Sequence, residues 1–257
     1  MPRDRGAADR GRKIEERNMI KGTDCLCFLG DSITEGVGTA KRYIDYIAEE
    51  TGAEVHGYGV NGAQSVDLFA QIGRMQKETD GCFDILFVCI GTNDYNAGVP
   101  LGEFFTEAAE TVVCGYDGNG NAVKTALRKK RSFVFDEHTF KGRLNNLFAF
   151  LKNEYPDKRI VLLTPLHRAY AFFGGDNVQP NELYANAIGE YFDSYVNAVR
   201  QAADIWAVEL IDLYRGSGLF PLNDKHAEMY FNKSSEDSLH PNAAGHDKIA
   251  RAILRRI

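Results

Sequence analysis

The chain is short of the features that would place it in a specialised class. It has no apolar run approaching the roughly 20 residues that cross a bilayer, so no membrane span is expected. Basic residues are in deficit, 30 Lys and Arg against 36 Asp and Glu, for a formal net charge of −6. That balance gives no electrostatic footprint for nucleic acid, and no such partner is expected. Cysteine is sparse and odd in number (Cys25, Cys27, Cys82, Cys89 and Cys114), and three of the five lie in apolar runs. Buried free thiols in a reducing compartment fit this better than a disulfide framework. His56, His138, His167 and His226 show no metal-ligand spacing, and the "FDEH" cluster at 135–138 has no partner motif. No catalytic metal and no cofactor are expected. There is no internal repeat and no low-complexity segment. The opening "MPRDRGAADRGRKIEERNMIKG" lacks the apolar stretch of a secretory leader, which predicts a cytoplasmic protein. Residues 1–21 read as a flexible arm, with Met19 as an alternative start.

What is present is ordinary for a soluble globular chain: 44% hydrophobic and 26% charged over 257 residues. Residues 22–257 read as a single domain. Five short apolar, β-rich stretches fall at 25–30, 53–60, 84–91, 159–165 and 207–213. Helical patterns at 41–52, 65–78, 139–155 and 182–203, and a last one closing the chain, lie between and after them. The third and fourth stretches are nearly continuous in apolar residues, as strands covered on both faces are. Strand and helix alternate, which predicts parallel βαβ units in a three-layer α/β/α sandwich.

Residues 95–138 break the alternation after the third strand. Here "TVVCGYDGNGNAVKTAL" places two β-like arms around Asp117–Gly120, a hairpin signal because Asn-Gly and Asp-Gly tolerate positive φ. This insertion is expected to pack on the domain near the site or against a second subunit, which would make the protein a homo-oligomer. The basic run "RKKR" at 128–131 reads as a solvated surface.

In an open parallel sheet, ligands sit beyond the carboxyl ends of the strands. The unusual polar residues collect there. "FLGDSITEG" ends the first strand on Gly30-Asp31-Ser32, and Asn61-Gly62 follows the second. Gly91-Thr92-Asn93-Asp94 follows the third, and "DSLHPNAAGH" sets Asp237 three residues before His240, ahead of the last helix. Serine becomes a competent nucleophile only when a base takes its proton. Histidine is the residue type that changes charge near neutral pH, and a carboxylate can fix its tautomer. Asp31, in the strand-to-helix turn, reads as an acceptor for backbone N–H groups, Asp94 as a structural cap and His246 as structural.

These segments resemble the sequence blocks of the SGNH, or GDSL, hydrolases, a family of serine esterases and lipases. "GDSIT", "VNGAQS", "GTND" and "DSLHP" match its four blocks in order. The resemblance implies a flavodoxin-like fold of about five parallel strands, with Ser32, His240 and Asp237 catalytic. It makes Asn93 an oxyanion donor beside the backbone N–H groups of Ser32 and Gly62. The loop at 165–184, with His167, Arg168 and Tyr170 after the fourth strand, is a candidate substrate lining. Because the family includes carbohydrate deacetylases, a short-chain O-acyl ester on a sugar is the first expected substrate. A lysophospholipase or thioesterase with a longer acyl slot, an acyltransferase, and a binding module without catalysis are the alternatives.

Overall fold

A computed structural model describes residues 20–233 and 235–257. The expected arm over 1–21 lies almost wholly outside the described residues. The first half of the chain runs β1 (Cys25–Gly30), α1 (Ser32–Glu35), α2 (Tyr43–Thr51), β2 (Glu54–Gly57), α3 (Leu68–Thr79), β3 (Ile85–Cys89) and α4 (Thr92–Asn96). Then come β4 (Phe105–Tyr116), β5 (Ala122–Phe133), α5 (Phe140–Glu154), β6 (Arg159–Leu163), β7 (Ala171–Phe172) and β8 (Val178–Gln179). The chain continues through α6 (Phe192–Trp206), β9 (Glu209–Ile211), α7 (Leu213–Gly216), α8 (Asp224–Tyr230), β10 (Phe231–Lys233), β11 (Asp237–Pro241) and α9 (Ala243–Leu254).

Five strands form one parallel sheet in the order β2-β1-β3-β6-β9. Counted along the sheet's own strands this is 2-1-3-4-5, the flavodoxin-like order. The inner strands β1, β3 and β6 are apolar on both faces because both are covered. Cys27, Leu29, Leu86, Val88 and Leu162 pack with Leu68 and Ile72 of α3, Leu147 and Phe148 of α5, and Val196 and Val199 of α6. Leu26, Phe28, Phe87 and Val161 face the other way, onto Ile44 and Ile47 of α2 and Ile249 and Ile253 of α9. Alternate residues of one strand thus serve two cores, which is the period-2 geometry of a β-strand. The expected three-layer sandwich is what forms.

Three expectations change in detail. The helix predicted over 182–203 begins only at Phe192. Asn186 explains the delay: its Oδ1 accepts from Ile188 N and Glu190 N, its Nδ2 donates to Tyr95 O, and Gly189 sits at φ +86°. Such a side chain offers the backbone an alternative to the helix ladder. The inserted hairpin forms with longer arms, β4 pairing antiparallel with β5 from Phe105↔Phe133 to Tyr116↔Ala122. Its connection is a five-residue loop wrapped on Asp117, whose Oδ1 accepts from Asn119 N and Asn121 N. The thiols are free among the described residues, but only Cys27 and Cys89 are buried; Cys82 and Cys114 are exposed.

The ribbon stands on an aromatic base. Phe105 meets Phe133 at 4.8 Å between ring centroids, and Phe133 meets Trp206 of α6 at 4.7 Å. Asn145 of α5 locks the base by donating to Phe104 O and Val134 O and accepting from Trp206 Nε1. Beyond the base both strands are largely exposed. The RKKR run lies on β5, where Lys130 pairs with Glu110 at 2.7 Å and Arg131 with Glu107 at 3.0 Å across the ribbon.

A second, antiparallel sheet was not anticipated. Its order is β10-β11-β7-β8, and β11 carries both Asp237 and His240.

Candidate active site

Ser32 opens α1, directly after β1. The turn is held by Asp31, whose Oδ1 accepts from Ile33 N at 3.0 Å, as expected of a helix cap. Gln71 of α3 grips Gly30 from the side, accepting from its N–H at 2.9 Å and donating to its carbonyl at 2.8 Å. Asp31 is fully buried, and burial pushes its carboxyl up to about 6 despite the Ile33 N–H and the nearby His240.

His240 arrives on β11. Its Nε2 lies 2.9 Å from Ser32 Oγ and its Nδ1 2.9 Å from Asp237 Oδ2. The same aspartate accepts from the His240 and Leu239 backbone N–H groups through Oδ1, at 3.0 and 3.2 Å. Burial would raise the Asp237 carboxyl. The hydrogen bonds and charge of His240, with Asn232 Nδ2 at 3.4 Å, outweigh that and hold it below the usual carboxylate range. Serine, imidazole and carboxylate therefore form one continuous hydrogen-bonded chain.

The glycine and asparagine blocks are tied to each other beside it. Asn93 Nδ2 donates to Ala63 O at 3.0 Å, which leaves the second amide proton for another acceptor. Asp94 is not the simple cap that was expected. Its buried carboxylate accepts from Ser65 N and Ser65 Oγ at 2.9 and 2.6 Å and pairs with Arg143 at 2.9 Å, joining the loop after β2 to α4 and α5. Gly62 has φ +78°, and a Cβ there would meet nothing within 4 Å, so its backbone faces open space. Among the described residues, the N–H groups of Ser32 and Gly62 are not consumed by the loops they belong to. Because α1 is a single turn, any contribution from Ser32 N–H is that of one donor rather than of a long helix dipole.

The loop after β6 divides. The His167 ring centroid lies 3.6 Å from that of Tyr214, with the planes tilted by 30°, and its Nδ1 lies 2.6 Å from Glu182 Oε1. Arg168 is 1% exposed, bonded to Asn96, Gln179 and Pro180 O, with its guanidinium over the Tyr95 ring. Both direct their polar groups into the protein. Tyr170 is exposed, and its carbonyl accepts from Ser238 N at 2.9 Å, pinning this loop to β11. The aromatic nearest the histidine is one that was not singled out: the Phe173 ring lies 5.3 Å from that of His240 and is 41% exposed. Its position in the aromatic run "AYAFFGG" was the available signal. His246 turns away, as expected, stacking on Tyr43 with Nδ1 accepting from Tyr43 N at 3.1 Å.

A family model describing the GDSL-like lipase/acylhydrolase family matches residues 28–248. The chain belongs to that family. Solved structures share its architecture at low sequence identity. A possible lipase from Chitinophaga pinensis is 20% identical, with 90% of this chain and 96% of that one covered and a TM-score of 0.61. A variant of an acetyl xylan esterase from Geobacillus stearothermophilus is 19% identical over 92% and 95%, with a TM-score of 0.53. A protein from Lactobacillus plantarum is 25% identical over 92% and 96%, with a TM-score of 0.69. No curated protein sequence matches.

Proposed function

We propose that the protein is a serine esterase that removes short acyl groups, acetyl foremost, from a carbohydrate. The observation that carries the reading is the Ser32–His240–Asp237 chain, with both links at 2.9 Å. Ser32 Oγ attacks the ester carbonyl while His240 Nε2 takes its proton, and Asp237 stabilises the imidazolium through Nδ1–H. The oxyanion of the tetrahedral intermediate is met by the N–H groups of Ser32 and Gly62 and the Asn93 amide. Collapse breaks the bond to the alcohol, which leaves with the proton held on His240. Water, deprotonated by the same nitrogen, then attacks the acyl-serine, releasing the acid and restoring the Ser32 hydroxyl.

The substrate class rests on chemistry around the site. Tyr170, Phe172 and Phe173 are exposed aromatics on the loop that meets β11, and such faces suit sugar rings. A similar fold serves an acetyl xylan esterase. The test is Ser32→Ala together with a fluorophosphonate label. The variant should stay folded and lose hydrolysis by a factor on the order of 10⁶, and the label should sit on Ser32 of the wild type. p-Nitrophenyl acetate should be cleaved faster than the palmitate, and acetylated xylan should release acetate. Full activity in the alanine variant, or labelling elsewhere, refutes the mechanism; a preference for palmitate refutes the substrate.

A further inference from the structure

At the other end of β1 from Ser32, three different donor side chains converge. Cys25 Sγ, a Glu54 carboxylate oxygen and a His56 ring nitrogen all lie within 4.8 Å of one another. The register explains how. Cys25 pairs with Glu54 and Cys27 with His56 across parallel neighbours, so all four side chains share one face at the edge of the sheet. His56 Nε2 already lies 2.9 Å from Glu54 Oε1. Asp84 closes the cluster from β1's other side, its Oδ2 accepting from Cys25 N at 2.8 Å.

We propose that Cys25, Glu54 and His56 bind a zinc ion that clamps the edge strand β2 to β1. A thiolate, an imidazole and a carboxylate are the donor types zinc prefers in combination, and hard cations such as Mg²⁺ or Ca²⁺ would not select a sulfur. Zn–S near 2.3 Å and Zn–N or Zn–O near 2.0–2.2 Å put neighbouring ligand atoms roughly 3.3–3.6 Å apart in a tetrahedron. The thiol's distances to the other two donors need to close by no more than about 1.5 Å, and the His56–Glu54 pair, at 2.9 Å, needs only to part slightly; Glu54 is exposed while Cys25 and His56 are half-buried, so side-chain rotation suffices. Solvent completes the fourth position on the exposed side. Binding expels the Cys25 proton to solvent. Sequence spacing hides the site, since Cys25 and Glu-x-His meet only across two strands. It lies at the opposite end of the sheet from the hydrolytic residues and takes no part in their chemistry.

The experiment begins by removing the exposed thiols, with Cys82→Ser and Cys114→Ser in the full chain. This protein, stripped with chelator, is titrated with Co²⁺ as a spectroscopic probe and then with Zn²⁺. One equivalent of Co²⁺ should bind with a near-ultraviolet thiolate-to-cobalt band. Zinc should displace it, and added zinc should raise Tm. Adding Cys25→Ser should abolish the band, and His56→Ala or Glu54→Gln should weaken binding at least tenfold. Near-ultraviolet circular dichroism reports that each variant is folded. Absence of stoichiometric uptake, a thiolate band that survives Cys25→Ser, or weak binding without any thiolate band (an adventitious ion only) overturns the proposal.

Discussion

Asp31 and His246 are two buried titratable groups that should oppose each other as the solution is acidified. Asp31 titrates near 6 in the folded protein and near 3.9 in an unfolded chain. The folded state therefore holds this proton more tightly. The group adds stability as pH falls and removes it as pH rises through about 6. Between pH 7.5 and pH 5 that gain is about 1.4 kcal/mol. His246 has the other sign. Burial holds its imidazole down at about 4, against about 6.5 unfolded, so the unfolded chain takes the proton first. Stability complete above pH 6.5 is lost as pH falls toward 4, by about 2 kcal/mol between pH 7.5 and pH 5. The two nearly cancel in the wild type, and substitution should unmask each. Asp31→Asn keeps an acceptor for Ile33 N, and His246→Gln offers one to Tyr43 N. Urea unfolding of the three proteins at pH 7.5 and 5.0 gives the comparison. On acidification Asp31→Asn should lose about 1.4 kcal/mol more than the wild type, and His246→Gln about 2 kcal/mol less. If all three proteins show the same change, the two burial arguments are wrong.

The remaining predictions concern the site, the ribbon and the core. Asn93→Ala should lower kcat for p-nitrophenyl acetate by about 10²–10³-fold with little change in KM; an unchanged kcat would remove Asn93 from the oxyanion donors. Replacing 107–131 with a short linker keeps the Phe105 and Phe133 anchors. It should leave a folded esterase that still cleaves p-nitrophenyl acetate, with altered selectivity among bulky esters. An unaltered profile would show that the ribbon does not shape the pocket. Leu147→Ala, at a fully buried α5 position, should cost about 2–5 kcal/mol in urea unfolding without touching the site; a cost under about 1 kcal/mol would mean that α5 is not packed as described.

The layered core was legible because β1, β3 and β6 are short, bounded, β-rich runs of apolar residues, as strands covered on both faces are. The polar residues of the site were legible because they punctuate those runs. What escaped was what tertiary contacts alone define. β7 and β8 are two residues each, too short for any period to show. β11 was read only as the approach to the last helix, because its strand character comes from pairing with β7 and β10. Asp94 was read as a cap because its partners Ser65 and Arg143 lie 29 and 49 positions away. Arg168 and His167 looked available for substrate because nothing local announces Asn96 or Glu182 as their partners.

Ser32 and His240 stand 208 positions apart, the serine on the helical turn that follows a strand of the parallel sheet and the histidine on a strand of the antiparallel one. On the proposed mechanism, the nucleophile is made early in synthesis, yet it stays inert until the segment bearing its base has been added and has paired with β7 and β10. Contacts of such separation close late in folding, after the local βαβ units that surround Ser32. Esterase turnover is thus a stricter measure of completed folding than secondary structure, since a chain lacking only the docked β11 would keep its parallel sheet and acylate nothing. A fragment ending before Glu236, supplied with the missing C-terminal peptide, would make hydrolysis a readout of strand association between two molecules.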